Sequence, residues 1–380
     1  MKNILKKSIS ILMSACMLMS VTSANVIPTS AAEVENENIS SNEIITSGDY
    51  RYILLDDGTI EFCRPANISN ANEGYYGFVN EDVKKYEVPA QIDGYTVTKI
   101  SNSTFSNWFA LEEVILPDTI TVIGEDAFCD CKRLKKIELP ENLKKIEMSA
   151  FSCCESLKEI TLPDSLEFLD FMAFSNCDSI EEIIIPENIT TLSGTFDGCS
   201  SLKSINIPDN ITTLGYYTFF NCTNLTEVNL SKSITTIDWK TFSQCQSLEH
   251  IIIPENVTTI KSEAFMECRN LKNITIPASV TEIGEHAFGY YLTGYCIDNF
   301  CIYGYKDTAA EAYAKENGFA FKLANDIDSD EKIDVNDVTA LQMHLANYDI
   351  TVDTHNADVN QNRITDVSDV TNLQLILAGA

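Results

Sequence analysis

The sequence predicts a repeat solenoid of short β-strands with a 23-residue period, followed by a small all-α module that contains two acidic loop-helix motifs. Phenylalanine recurs at positions 105, 128, 151, 174, 196, 219, 242, 265 and 288, so the spacing is 23 residues except for one step of 22. Proline keeps the same interval at positions 117, 140, 163, 186, 208, 254 and 277. Near the C-terminus one acidic loop pattern occurs twice. The repeats and the duplicated loop together predict an array joined to a C-terminal module.

The first 32 residues are typical of a Sec signal peptide that is cut near Ala32. Lysines at positions 2, 6 and 7 precede an apolar stretch that ends near residue 24. A membrane helix is the alternative, but serines interrupt the stretch, which falls short of the ~20 apolar residues that a span needs. A lipoprotein site at Cys16 is disfavoured because the apolar run continues beyond it. We therefore expect an extracellular protein with no membrane insertion.

Residues 33–83 form the predicted N-terminal segment and cap. The apolar runs between Tyr50 and Phe62 flank Asp56, Asp57 and Gly58, which is a hairpin-turn signature. Such a hairpin would cover the open first coil of the array, whose edge backbone and apolar surface would otherwise be exposed.

Residues 84–303 form the predicted array. Within one coil, L-K-E-I-T-L-P from Leu157 predicts a short strand with inward apolar residues, closed by proline because proline has no N–H for the ladder. The second half of a coil, from Ile211 through Gly215 to Phe219, is predicted to run back and complete the turn. One coil cannot bury its apolar face alone, so the coils must stack.

The chain has 13 cysteines, which in a secreted protein would normally indicate disulfides. Seven of them lie three residues after a column phenylalanine: Cys131, Cys154, Cys177, Cys199, Cys222, Cys245 and Cys268. Stacked residues have parallel Cβ vectors near the strand spacing, which exceeds the ~3.8 Å Cβ separation of a disulfide. We expect buried thiols rather than a disulfide column or a metal ladder, while Cys296 with Cys301 stays a candidate bridge.

Strand alternation predicts a strip of outward side chains that is mixed in charge and poor in aromatic residues. Its members are Glu112, Glu113, Ile115, Lys135, Lys136, Glu138, Lys158, Glu159, Thr161, Glu181, Glu182, Ile184, Lys203, Ser204, Asn206, Thr226, Glu227, Asn229, Glu249, His250, Ile252, Lys272, Asn273 and Thr275. Sugar-binding faces need aromatic platforms, so the strip favours a protein ligand over a polysaccharide.

The coils resemble bacterial leucine-rich repeats of the BspA type. The pattern I-G-x-x-A-F at Ile123 and at Ile283 carries the resemblance, together with a first-coil insertion at residues 92–95 and a closing cap helix within residues 304–323. The resemblance implies a leucine-rich-repeat solenoid with a binding role, presented to an unknown protein or cell-surface ligand.

The duplicated loop pattern reads D-I-D-S-D-E-K-I-D-V-N-D and D-V-N-Q-N-R-I-T-D-V-S-D. Oxygen side chains occupy loop positions 1, 3, 5, 9 and 12: Asp326, Asp328, Asp330, Asp334 and Asp337, and then Asp358, Asn360, Asn362, Asp366 and Asp369. Calcium takes about six to eight oxygen ligands, and the carbonyl at position 7, of Lys332 or Ile364, would add one. Two calcium ions are therefore predicted. An acidic disordered tail is the alternative, but the pattern keeps its register twice.

Each loop leads into a predicted amphipathic helix, with Val338, Leu341 and Leu345 in the first and Val370, Leu373 and Leu377 in the second.

The second site is expected to be the weaker one. The apolar residue expected at position 8 is Ile333 in the first loop, but in the second loop it stands at position 7 as Ile364. Position 6 normally takes glycine because it needs a positive φ, but here it holds Glu331 and Arg363. At the five ligand positions, the first loop has five carboxylates and the second has three. Because these carboxylates repel one another, we expect metal binding and folding of the module to be coupled.

Residues 324–380 resemble a dockerin, the module that plugs bacterial proteins into cohesin modules of a cellulosome scaffold. The resemblance implies cohesin contacts at loop positions 10 and 11 and helix positions 17 and 18. These are Val335, Asn336, Gln342, Met343, Val367, Ser368, Gln374 and Leu375. Since the two halves are nearly interchangeable, binding in two orientations is expected.

The formal charge of −30 disfavours nucleic acid and anionic membranes as partners, because phosphate contact needs clustered Lys and Arg. No catalytic motif involves His250, His286, His344 or His355. The sequence therefore predicts a monomeric, non-catalytic cellulosome component that docks through its tail and presents the array. The alternative is a carbohydrate-active enzyme, such as a glycoside hydrolase, with an unrecognised active site.

Overall fold

A computed structural model describes residues 43–66 and 83–379 of the chain. The predicted signal peptide, residues 1–32, lies outside the described residues. The array and the C-terminal module belong to one structural unit.

Short strands make up most of the regular structure. In chain order they are β1 Ile44–Ser47, β2 Tyr50–Leu54, β3 Ile60–Cys63, β4 Lys85–Glu87, β5 Gln91–Ile92, β6 Tyr95–Ile100, β7 Glu113–Ile115, β8 Val122–Ile123, β9 Lys136–Ile137, β10 Lys145–Ile146, β11 Phe168–Leu169, β12 Thr191–Leu192, β13 Ser204–Asn206, β14 Thr213–Leu214, β15 Glu227–Asn229, β16 Thr236–Ile237, β17 Thr259–Ile260, β18 Asn273–Thr275, β19 Glu282–Ile283, β20 Cys301–Gly304 and β21 Ala320–Leu323. The helices are α1 Ala309–Asn317, α2 Val335–Leu345 and α3 Val367–Ala378.

Two columns of parallel strands run along the array, one from each half of the coils. The first column contains the parallel groups β4-β7-β9, β13-β15 and β18-β20-β21, and the second contains β6-β8-β10-β11 and β12-β14-β16-β17-β19. The return run expected from Ile211 forms β14, in register with its neighbours. The solenoid predicted from the 23-residue period is therefore confirmed.

The segment from Leu157 differs from the strand that we predicted. It forms only an isolated parallel bridge, Lys136 with Glu159, although Leu157, Ile160 and Leu162 are buried as expected. A first-column segment of a few residues is held by the burial of its alternate side chains, so it keeps its place without a complete ladder.

A hairpin closes the N-terminal end of the array. Strands β2 and β3 are antiparallel around the turn at Gly58, and β3 continues as a parallel neighbour of β6 in the second column. The insertion at residues 92–95 forms a second tight hairpin, and its Asp93 accepts hydrogen bonds from Ser47 Oγ at 2.8 Å and Tyr52 Oη at 2.9 Å. These bonds fix the cap to the first coil.

The column phenylalanines form the spine of the core. Rings from Phe105 to Phe265 stack with centroid separations of 5.0 to 6.1 Å, and all the side chains are fully buried. The widest step, 6.1 Å, joins Phe174 to Phe196 across the one 22-residue interval. Aromatic stacking and area burial therefore act together along the spine.

The cysteine column lies beside the phenylalanines. Each thiol donates to the carbonyl oxygen of the phenylalanine of the preceding coil, for example Cys131 Sγ to Phe105 O at 3.1 Å and Cys222 Sγ to Phe196 O at 3.2 Å. Burial raises the pKa of Cys131 to about 12. These cysteines are buried, unpaired thiols. The candidate bridge is not formed: Cys296 is exposed and Cys301 half-buried, both with free thiols.

Each coil from Phe105 to Phe265 bends through two left-handed residues, one two positions before and one two positions after the phenylalanine. Asp126 and Asp130 have φ values of 53° and 58° around Phe128. In the 22-residue coil both positions are glycine, Gly194 and Gly198. A Cβ on Gly194 would lie 2.5 Å from the Phe171 ring, so this coil depends on glycine for space as well as for its backbone angle.

At the C-terminal end, α1 closes the array. It begins after the N-cap Thr308 and ends at the left-handed C-cap Gly318, and its Tyr313 packs on Phe288 at a centroid distance of 4.7 Å. The expected cap helix is therefore present.

Helices α2 and α3 form the C-terminal module and pack on each other around a small second core. Val338, Leu341, Val370 and Leu373 are buried there, as their helical spacing predicted. Leu377 is exposed instead, near the C-terminal end of α3.

Candidate metal loops and interaction surfaces

The first acidic loop brings three of its predicted ligands together. One carboxylate oxygen from each of Asp326, Asp328 and Asp330 lies within 4.8 Å of the others. Hard cations prefer such clusters of oxygen donors, so the donor set fits calcium.

Backbone amides fold this loop around Asp326. Its Oδ1 accepts from Asp330 N at 3.1 Å and its Oδ2 accepts from Glu331 N at 3.0 Å. The two bonds turn the chain so that position 5 faces position 1.

Asp337, at position 12, joins the loop to α2. Its carboxylate is buried and accepts from the amides of Ile327 at 2.6 Å and Asp334 at 2.7 Å, while Asp334 caps the helix by accepting from Asn336 N. This capping box ties the ninth and twelfth loop positions to the helix N-terminus, where a negative charge is favoured.

The electrostatics of the first loop oppose its own folding. Burial first, and then the neighbouring carboxylate of Asp337, raise the pKa values of Asp326 and Asp328. A divalent cation among these oxygens would remove that penalty.

The second loop repeats the same hydrogen bonds. Asp358 accepts from Asn362 N at 3.0 Å and Arg363 N at 2.8 Å, and buried Asp369 accepts from Asn360 N at 3.0 Å. Asp366 caps α3 as its counterpart caps α2. The loops therefore share one backbone design and differ in charge, because Asn360 and Asn362 supply neutral oxygens.

Position 6 is left-handed in both loops, with φ of 66° at Glu331 and 70° at Arg363. The conformation that favours glycine is thus required at both positions, and neither has glycine. At position 7, the Lys332 side chain points to Asp330 Oδ2 at 3.5 Å, while the Ile364 side chain is exposed.

The eight predicted docking residues lie at the starts and middles of α2 and α3. Val335, Asn336, Gln342, Met343, Val367, Gln374 and Leu375 are exposed and Ser368 is half-buried. Val367 is 74% exposed. Ser368 is partly enclosed because its hydroxyl accepts a hydrogen bond from Asn360 Nδ2 at 2.9 Å and donates one to the carboxylate of Asp366. Seven of the eight residues are open to solvent, so no other element of the described residues covers this face of α2 and α3.

The module does not extend freely from the array, because its second loop and the segment between its two loops contact the strip and the C-terminal end of the array. His250 Nε2 lies 3.3 Å from Gln361 O, and Thr275 Oγ1 lies 2.8 Å from His355 Nε2. Asp353 pairs with Lys322 at 2.6 Å and accepts from Tyr303 Oη at 3.3 Å. Burial lowers the pKa values of both histidines, so the neutral forms are favoured at this junction.

Comparison with protein families identifies the array. The model for the BspA type leucine rich repeat region matches six copies, over residues 98–195 and 192–293. The matched span, 98–293, is 196 of 380 residues and so exceeds half of the chain. The chain belongs to the BspA-type leucine-rich repeat family. No enzyme family was found, and a search of curated proteins gave no match.

Several solved structures are similar to this leucine-rich repeat chain. A leucine rich repeat protein of T. pallidum is 28% identical, with coverage of 54% of this chain and 91% of the other and a TM-score of 0.46. A leucine rich cell surface protein from Faecalibacterium prausnitzii is 22% identical, with coverage of 67% and 96% and a TM-score of 0.33. The pneumococcal vaccine antigen PcpA is 16% identical, with coverage of 74% and 98% and a TM-score of 0.39.

The family match ends before the C-terminal module, whereas the leucine-rich repeat strand ladder continues beyond the match at both ends. Strand β4 pairs with β7, and β20 pairs with β18 and with β21, so parallel pairing continues on both sides of the matched span. The likeness of residues 324–380 to a dockerin still rests on their sequence.

The predicted strip of the leucine-rich repeat array faces outward, with Ile184 85% exposed. Its charges pair between coils: Glu112 contacts Lys84 at 2.9 Å and Lys135 at 2.7 Å, which lowers the pKa of Glu112 to about 2. Only part of the strip is open, however. A cavity of about 740 Å³ lies between strip residues, among them Asn206, Asn229 and Ile252, and Val359 to Gln361 of the module.

Sequence reasoning missed two features. It treated His250 and His355 as unpartnered, but the repeat fold brings both to the junction. It also considered aromatic residues only on the strip, whereas a cluster of rings lies on the turns after the second column: Phe171, Tyr216, Tyr217, Phe220 and Trp239. Within the described residues, no helix has the length and apolar character needed to cross a bilayer.

Proposed function

We propose that this leucine-rich repeat protein is a non-catalytic, secreted component of a cellulosome. Its C-terminal module binds two calcium ions, docks onto a cohesin module of a scaffold protein, and leaves the array free to bind a protein or a surface. The coarser part, a leucine-rich repeat protein with a binding role, follows from the family.

The docking proposal rests on one observation: the two loops form equivalent sets of hydrogen bonds. Both loops fold around position 1 with the same two amides, and both end in a capping box at position 12. A disordered acidic tail has no reason to repeat these bonds. Donor oxygens at matching places support two cation sites, of which the first carries more charge.

A second observation supports protein docking through α2 and α3. Val335 and Val367 occupy equivalent places directly after the two loops and are among the most exposed apolar residues. Exposed apolar side chains surrounded by polar residues are typical of protein interfaces. Their equivalence supports two binding orientations related by a half-turn.

The test is calorimetric titration of the full-length protein with a panel of purified cohesins, in calcium and in a chelator. We expect binding by at least one cohesin in calcium and none in chelator. The double substitution Val335→Asp with Val367→Asp should abolish binding, whereas either single substitution should weaken it only slightly, because the other orientation remains.

Ile184→Asp is the matched control, since it introduces the same change at an exposed isoleucine of the array. It should leave cohesin affinity unchanged. Failure of the whole panel to bind the calcium-loaded protein would refute docking, and release of sugar from polysaccharides by the purified protein would refute the non-catalytic role.

A further inference from the structure

One position in each coil, three residues before the column phenylalanine, changes character along the array. In chain order it holds Asn102, Glu125, Met148, Phe171, Ser193, Tyr216, Trp239, Ser262 and Glu285. The outer coils are polar there, so the fold does not need an apolar residue at this position. The central coils nevertheless carry a methionine and three aromatic residues.

These central side chains form a continuous patch, which we call the aromatic platform: Phe171, Tyr216, Tyr217, Phe220 and Trp239. Ring centroids are 5.3 Å apart for Phe171 and Tyr216 and 4.9 Å apart for Tyr217 and Trp239. Tyr216 is 44% exposed and Trp239 is 39% exposed. The rings contact one another in tilted and edge-to-face arrangements and remain partly accessible on the surface.

The 22-residue coil allows the platform to close. Ser193 stands where its neighbours have large side chains, and the ring of Phe171 lies over Gly194 to meet Tyr216 from the next coil. The coil of Phe196 lies between the coils of Phe171 and Tyr216. Because this coil is one residue shorter and has small side chains at positions 193 and 194, the two rings meet across it.

The polar groups around the platform suit a ligand rich in hydroxyl groups. Among the described residues, no hydrogen-bond partner is found for Tyr216 Oη, Tyr217 Oη or Trp239 Nε1. The nearby Asp197 has a single long hydrogen bond, from Ser175 Oγ at 3.5 Å, and burial raises its pKa to about 7. Near neutral pH this carboxyl group can both donate and accept.

The charge around the platform favours a neutral ligand. Lys240 lies 4.6 Å above one face of Trp239, but its ammonium group pairs with Glu263 at 3.3 Å. No excess positive charge is therefore available for an anionic polymer. The exposed aliphatic residues that a protein interface would use, such as Ile184, lie on the strip instead.

We propose that the aromatic platform binds the pyranose rings of a neutral polysaccharide. The C–H faces of sugar rings stack on aromatic side chains, and successive coils place the rings in a row along which an extended sugar chain can lie. This inference deepens the binding role proposed for the array, and it does not depend on cohesin docking.

Tryptophan fluorescence gives a direct test. The chain has two tryptophans, of which Trp108 is 1% exposed in the core and Trp239 lies on the platform. Full-length protein would be titrated with xylohexaose, cellohexaose and mannohexaose, and with soluble xylan, glucan and mannan in affinity electrophoresis. We expect one class to change the Trp239 emission and to retard the protein.

Trp239→Ala and Tyr216→Ala should each weaken that binding by about tenfold or more, which corresponds to ~1.4 kcal/mol. Tyr295→Ala is the matched control, because Tyr295 is exposed but lies outside the platform. It should leave binding unchanged. Circular dichroism of the variants checks that the coils stay folded.

Absence of binding to every sugar at millimolar concentration, or binding that Trp239→Ala leaves intact, would overturn the inference. A protein ligand that competes at Trp239 while all sugars fail would also overturn it. Cohesin titration of the same preparations separates the two proposals, since retained cohesin affinity without sugar binding refutes the platform alone.

Discussion

The two acidic loops have the same backbone design and different chemistry. In each, position 1 accepts from the amides of positions 5 and 6, and position 12 is a buried aspartate. At the five ligand positions, the first loop has five carboxylates and the second has three. Only the second loop lies against the array, through Gln361. Hydrogen bonds from backbone amides to side chains therefore set the loop geometry, and the charge of the ligand residues determines cation affinity.

Chelation tests the part that the loops share and should have the largest effect. We expect that removal of calcium from the full-length protein increases amide hydrogen exchange throughout residues 324–379 by roughly 100-fold or more, since folding of such a module is coupled to its metal. The exchange of the array should not change. Equal protection of α2 and α3 with and without chelator would contradict the coupling.

Replacement of position 1 tests how the loops differ. Asp326→Asn should remove the tighter of two calcium-binding phases and cost about tenfold or more in affinity, because affinity follows ligand charge. Asp358→Asn should affect only the weaker phase. Calorimetric titration with calcium measures both, and the reverse assignment would show that charge does not rank the sites.

Position 6 tests the strain that the loops have in common. Glu331→Gly and Arg363→Gly should each stabilise the calcium-loaded module by ~1 kcal/mol, because glycine adopts a positive φ at little cost. Glu331→Ala and Arg363→Ala are the matched controls, since they remove the side chain but keep the Cβ. Thermal unfolding that responds equally to Gly and Ala would place the effect in the side chain.

The smallest expected effect on calcium affinity comes from His250, an array residue that contacts only the second loop. His250→Ala removes the contact with Gln361 O and should weaken calcium binding at the second loop by about threefold, near the lower end of a single hydrogen bond. The first loop should keep its affinity. Equal weakening of both sites would mean that the junction supports the module as a whole.

Features that repeat could be predicted from the sequence, and features that occur once could not. The regular recurrence of residues such as Phe128 and Cys131 predicts their burial. The spacing of the acidic residues in the loop indicates that the chain folds around Asp326. The contact of His250 with Gln361 joins residues 111 apart and leaves no periodic signal. The aromatic platform has such a signal, since alignment of the coils on their phenylalanines reveals Phe171, Tyr216 and Trp239 in one column.

The outcome at Leu157 marks the other limit. The apolar pattern correctly gave the inward positions, but it carries no information on whether the ladder hydrogen bonds of a very short segment are completed. Burial is a property of the side chains, whereas pairing depends on small offsets between neighbouring coils.

The column of buried thiols allows the local stability of the array to be measured by cysteine labelling. A thiol sealed between coils, such as Cys131 or Cys268, meets an alkylating reagent only when its coil separates from the next one. Labelling rates along the column would therefore read the opening free energy coil by coil. Because each end coil stacks on a cap on one side instead of on another coil, modification should proceed inward from the termini.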